Sequence, residues 1–177
     1  MNQKTKNEDL QRLNVDEFLA TKKQPIVIVL DNVRSLNNVG SVFRTADAFL
    51  IEEILLCGVT GTPPNKEIEK TALGATSTVK WSYHATTQNA LNILKQNNYK
   101  VFAVEQAETK TWLNEFNTPN EKIALVFGNE VYGVEQEVID KCDGVIEIPQ
   151  LGTKHSLNIS VSAGIVLWEM VRDKISF

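Results

Sequence analysis

Ile146-Glu-Ile-Pro-Gln-Leu-Gly-Thr-Lys-His-Ser-Leu-Asn-Ile-Ser-Val-Ser-Ala-Gly-Ile-Val-Leu-Trp-Glu169 is the stretch around which the chain is organised. A short apolar strand runs into Pro149, which lacks the N–H that a sheet ladder needs. A polar loop with Gly152 follows. Ser156-Leu157-Asn158 then opens a strongly apolar helix, predicted over about 158–173. Ser and Asn suit a helix N-terminus because their side-chain oxygens accept from its orphan N–H groups. The loop offers backbone amides, a hydroxyl, an amide and a Lys at a strand end, where open α/β sheets hold their ligands. The same pattern also serves as a plain strand–loop–helix connection.

Working outward, Lys122-Ile-Ala-Leu-Val-Phe127 reads as a central strand. It runs into Gly128-Asn-Glu-Val-Tyr-Gly133, and a helix is expected over about 134–141. Pro25-Ile-Val-Ile-Val-Leu30 is a continuous apolar run, the pattern of a strand buried on both faces in a parallel sheet. It ends in a loop, 31–40, rich in turn and cap residues. A helix is expected from about Val39 to Phe49, with Val39, Val42, Phe43, Ala46 and Phe49 on one face. Arg44 lies on another face, one turn after Gly40. The glycine could leave room for a ligand beside Arg44, but the spacing favours a surface pair of Arg44 with Asp47. Further strands are expected over 53–57, 78–83, 100–104 and 144–148, and helices over 65–73 and 87–97. Residues 105–121 read as loop, anchored by Trp112, Leu113 and Phe116. Strands alternating with helices imply an α/β fold with a mostly parallel sheet.

The 177 residues fit one domain, read as a leader over 1–24 and a body over 25–177. Leu10, Leu13 and Phe18 suit one face of a short amphipathic helix in the leader. The polar N-terminus is not a signal peptide, and no segment approaches the ~20 apolar residues of a membrane span. Two cysteines make no disulfide framework and read as small buried hydrophobes, so a cytoplasmic location is expected. A net charge of −4 argues against a protein that coats nucleic acid non-specifically. It leaves room for a local basic patch, for which Lys22, Lys23, Arg34, Arg44, Lys66, Lys70 and Lys154 are candidates.

Gly128-x-x-x-x-Gly133 opens like a P-loop but continues Val134-Glu135 instead of Lys-Ser/Thr. No Gly-x-Gly-x-x-Gly follows the first strand, which removes a dinucleotide site. His84 and His155 lack metal-ligand spacing with either cysteine, so no metal is expected. No Gly-x-Ser-x-Gly elbow exists either. Three loops at strand ends remain: Asn38-x-Gly40-x-x-x-Arg44, Phe127-Gly128-Asn129-Glu130-x-x-Gly133, and Ile148-Pro149-x-x-Gly152-x-x-x-Ser156-Leu157-Asn158-x-Ser160.

In this order the three resemble the SpoU family of the SPOUT class of methyltransferases, over about residues 26–172. The resemblance implies S-adenosylmethionine as cofactor and methylation of a ribose 2′-hydroxyl in tRNA or rRNA, with tRNA favoured. It implies a C-terminal deep trefoil knot, an exception to the usual avoidance of threaded chains. It also implies a homodimer with active sites near the subunit interface, for which the small and apolar residues of the last helix offer a surface. Asn38, Arg44, Glu130, Ser156 and Asn158 would be catalytic or substrate-facing. Backbone around Val104, Gly128, Ile148, Ser156 and Leu157 would hold the cofactor, with Gly128 bare so that it can approach closely. A non-catalytic RNA-binding relative of the same fold is the alternative. Two positions depart from the family pattern: Leu50 stands where Gly is frequent, and Gln150 where Met is.

Overall fold

Alternation along the first strand divides the molecule into layers. In β1 (Gln24–Asp31), Ile26, Ile28 and Leu30 face one side and Val27 and Val29 the other, all 2% exposed or less. A strand apolar on both faces needs cover on both. The computed structural model describes residues 2–10, 12–119 and 121–175. Within them β1 is joined by β2 (Ile51–Cys57), β3 (Trp81–His84), β4 (Lys100–Val104), β5 (Thr111–Trp112), β6 (Ile123–Phe127) and β7 (Gly144–Glu147). The sheet order is β3-β2-β1-β6-β4-β7-β5, and every pairing is parallel.

One face carries α2 (Leu36–Ala48), α3 (Lys66–Ala72) and α6 (Ile159–Val171), which bury Val39, Phe43, Ile68, Val166 and Leu167 against Ile26, Ile28 and Leu30. The other carries α4 (Thr87–Gln96) and the single turn α5 (Gln136–Ile139), with Leu91, Leu94 and Val138 against Val27 and Val29. Before the sheet, α1 (Val15–Ala20) starts at a capping box between Asn14 and Glu17 and buries Phe18 in the first of these cores. Leu10 and Leu13 precede the cap and stay exposed, so the shared face with Phe18 does not form.

Gly40 has a different purpose from the one its sequence context suggests. A Cβ there would come 2.1 Å from Thr71 Oγ1 and 2.2 Å from the Ile68 carbonyl oxygen. The glycine admits the backbone of α3 against α2, and leaves no space for a ligand. At the end of α2, Leu50 holds a left-handed backbone at φ 54°, a conformation that glycine adopts without a side-chain penalty. The predicted 105–121 loop contains β5 and a 3₁₀ turn (Leu113–Glu115). Trp112 in β5 lies at the surface under Lys110, while Leu113 is buried and Phe116 stacks edge-on to Phe102. The helix expected over 134–141 keeps only α5, because Val134 is instead drawn into the core.

Candidate active site

In a parallel sheet all strands finish at the same edge, so the loops after β1, β4, β6 and β7 meet there. Ser35 caps α2 by accepting from Asn38 N at 3.3 Å. The helix therefore begins earlier than its apolar spacing suggests, and Asn38 stands in its first turn. Glu130, on the loop after β6, reaches this helix start. Its Oε2 accepts from Arg34 N at 3.1 Å, and its Oε1 accepts from Ser35 N at 2.9 Å and Asn38 Nδ2 at 3.1 Å. From the third stretch, Asn158 Nδ2 donates to Asn38 Oδ1 at 3.1 Å. Asn158 also caps α6, its Oδ1 accepting from Ser160 N at 2.9 Å and Ser160 Oγ at 2.7 Å. A carboxylate and two side-chain amides thus link all three sequence motifs.

Burial pushes the Glu130 carboxyl up, but donations from the backbone of Arg34, Ser35 and Glu130 itself, and from the Asn38 amide, outweigh it. The group lies below the ordinary glutamate value and is an acceptor-only carboxylate at neutral pH.

Beside this link lies a cavity of about 490 Å³, lined by Val104 from the end of β4, Phe127 at the end of β6 and Gly128 after it, Ile148 after β7, and Ser156 and Leu157 before α6. Glu130 and Asn158 also line it. The loop between Gly128 and Val134 is braced from within. Asn129 and Gly133 exchange backbone hydrogen bonds at 2.9 Å. Asn129 Oδ1 accepts from Val131 N at 2.9 Å and Tyr132 N at 3.2 Å, and its Nδ2 donates to the Asn32 carbonyl at 2.8 Å. Glu105 accepts from Val134 N at 2.9 Å. A Cβ on Gly128 would come 2.0 Å from the Gly133 carbonyl carbon. The glycine is thus required by the loop folding back on itself, whereas the sequence reading tied it to ligand approach.

Asn129, which stands in the second motif without an expected role, and Glu105 were not among the site residues expected from sequence. Asn129 has a local signal, since Asn beside Gly favours side-chain bonds to nearby backbone. Glu105 has none, because its partner is 29 residues away.

Arg44 is not brought to this cavity. Six residues after Asn38 on α2, it lies about 9 Å further along the axis and roughly 120° round it. It is exposed and borders a separate depression with Val15, Leu73, Ser77 and Thr78. The surface pair with Asp47 does not form. Asp47 accepts from the Thr78 hydroxyl at 2.6 Å, and Arg44 is in no ion pair among the described residues.

Among the described residues no group of three His, Cys, Asp or Glu is placed to hold a metal. No helix among them is long and apolar enough to cross a membrane.

A model of the SpoU rRNA Methylase family matches residues 25–168. The chain is 29% identical, over 94% of its length and 84% of the relative's, to a tRNA (guanosine(18)-2′-O)-methyltransferase of Thermus thermophilus. It is 31% identical, over 94% of its length and 68% of the relative's, to a 23S rRNA (guanosine-2′-O-)-methyltransferase of Haemophilus influenzae. Among solved structures, the AdoMet-bound rRNA methyltransferase from Sinorhizobium meliloti superposes with a TM-score of 0.82 at 27% identity. That match covers 88% of this chain and 59% of the other, so the chain spans about three fifths of that protein. With the family model spanning the sheet and all three linked motifs, this chain belongs to the SpoU rRNA methylase family.

Proposed function

We propose that this protein is an S-adenosylmethionine-dependent RNA methyltransferase acting on a ribose 2′-hydroxyl of tRNA or rRNA. The observation that carries the reading is the Glu130–Asn38–Asn158 link beside a cavity built from strand ends. Relatives named as 2′-O-methyltransferases of tRNA and rRNA support it. We favour tRNA, because the Thermus tRNA enzyme aligns over more of its own length than the Haemophilus rRNA enzyme does. In this reading residues 25–177 are the methyltransferase domain and 1–24 a leader; residues 176 and 177 lie outside the described residues. A cytoplasmic location and a C-terminal trefoil knot are parts of the same proposal.

The cavity suits the cofactor in size and character. Small-molecule sites fall at about 300–1,000 Å³, apolar with a few convergent polar groups. Val104, Phe127, Ile148 and Leu157 supply apolar wall, while Gln106, Ser156 and Asn158 supply polar contacts. A carboxylate at Glu130 gives the rim the sign that suits a sulfonium cation. S-adenosylmethionine brings a methyl group already activated on sulfur. The protein's share is alignment of the ribose oxygen, and exclusion of competing water. Asn38 and Asn158 hold each other's amides in one orientation, and Glu130 fixes Asn38. The Ser156 hydroxyl makes no hydrogen bond among the described residues and is free for the cofactor or ribose. A guanidinium stays protonated at neutral pH, so Arg44 serves to hold the adjacent phosphate and stabilise developing alkoxide charge. The hydroxyl proton leaves to water or an RNA phosphate.

Arg44 lies outside its own chain's cavity, and a homodimer in which it serves the partner's site resolves this. A surface for such a dimer is available on α6, where Val161, Ile165 and Trp168, at 49%, 39% and 51% exposure, form an outward stripe at i, i+4, i+7. A helix apolar on both sides calls for cover on both.

Calorimetry with S-adenosylmethionine, then transfer of labelled methyl to bulk tRNA and rRNA, tests the activity. Incorporation at ribose is expected. Cofactor binding with no transfer to any RNA would favour a non-catalytic RNA-binding relative.

A further inference from the structure

The loop after β6 is mounted more firmly than its task of carrying Glu130 requires. Asn129 braces the turn from inside, Asn32 holds Asn129, Glu105 grips Val134, and Glu130 is tied to α2. At its tip Tyr132 is 83% exposed. Its backbone N–H is held by Asn129, yet among the described residues its hydroxyl makes no hydrogen bond. No aromatic ring and no cation covers its faces there. Tyr132 borders the cavity two residues from Glu130. An aromatic on a braced backbone, with open π-faces, has only two side-chain torsions to fix when it binds, which makes it an efficient contact. Single-stranded RNA presents the matching surface, since unstacked bases settle on aromatic side chains.

The surroundings suit RNA. Arg34, whose N–H is held by Glu130, is exposed and in no ion pair among the described residues. Its guanidinium is therefore available to a phosphate.

We propose that Tyr132 is the stacking platform for a base of the RNA substrate, at or beside the nucleotide whose ribose is methylated. This rests on the RNA-methyltransferase reading and adds a residue that holds the nucleotide. Stacking needs a ring and no hydroxyl, so Phe and Trp substitute while Ala does not.

The test compares wild type with Tyr132→Ala, Tyr132→Phe and Tyr132→Trp. It measures RNA affinity by anisotropy with labelled bulk tRNA and rRNA, methyl-transfer kinetics, cofactor affinity by calorimetry, and mass by sedimentation. Tyr132→Ala is expected to weaken RNA affinity and raise KM for RNA roughly 5- to 100-fold. Cofactor affinity and mass stay unchanged, and Phe and Trp stay near wild type. Unchanged RNA affinity in Tyr132→Ala overturns the proposal. So does a Phe variant as poor as Ala, a loss of cofactor affinity pointing to the cofactor's own adenine, or a change in mass pointing to a subunit contact. Wild type that binds RNA without transferring methyl defeats the catalytic reading alone, and the affinity comparison still decides Tyr132. Wild type that binds neither RNA refutes both.

Discussion

Glu130 shows how one side chain serves two ends. Its carboxylate closes the N-terminus of α2 and, through Asn38, orients the amide that meets Asn158. Replacing it by Ala orphans the N–H groups of Arg34 and Ser35, and a cost of about 1 kcal/mol is expected, the scale of a lost helix cap. Its depressed carboxyl adds an acid dependence. The folded value is below the ordinary 4.5, so the charge contributes stability in full above that value. The contribution is lost as pH falls through the folded value. Glu130→Gln should flatten this acid limb, read by thermal melts from roughly pH 3 to 7. Gly40→Ala is expected to destabilise by ~1–3 kcal/mol, because the methyl meets the carbonyl backbone of α3. Sequence pattern marked Gly40, and Gly128 in the Glu130 loop, as special. It misjudged what surrounds each glycine, since the neighbour of Gly40 comes from α3, some thirty residues on, and no local spacing encodes that approach.

At the scale of elements, the strands were the most legible. Pro25–Leu30 and Lys122–Phe127 are apolar on both faces, and only the interior of a parallel sheet accepts such runs. Boundaries set by caps were less legible. Ser35 starts α2 a turn before the first buried valine, and Val134 leaves its expected helix to fill the core. The small, apolar composition of α6 suited burial in the core or at a dimer interface, and its outward stripe is the part still uncovered within one chain. Trp168→Glu should therefore yield monomers in sedimentation at micromolar concentration. It should leave the fold intact, since Trp168 is half exposed and its ring meets the partly buried Phe49 rather than the fully buried core.

The whole molecule separates Arg44 from the cavity, and this sets a decisive experiment. Arg44→Ala is expected to lose ~2–4 kcal/mol of transition-state stabilisation, mainly in kcat. Mixing that variant with Asn158→Ala should restore transfer, because each mixed dimer then holds one intact Arg44 opposite one intact cavity. If Arg44 served its own chain, the mixture would stay inactive. Sequence could place the three motifs at strand ends, since alternating strands and helices impose a common edge. It could not tell that α2 carries Asn38 and Arg44 to different sides, which depends on where the helix starts and how it lies on α3.

The hydrogen bonds that join the motifs span 92 residues from Asn38 to Glu130 and 120 from Asn38 to Asn158. A nascent polypeptide emerging from the ribosome therefore carries the first partner 120 residues before the last is made. No nascent chain that stops short of Asn158 can assemble the triad, so the link is completed only once the start of α6 has been made.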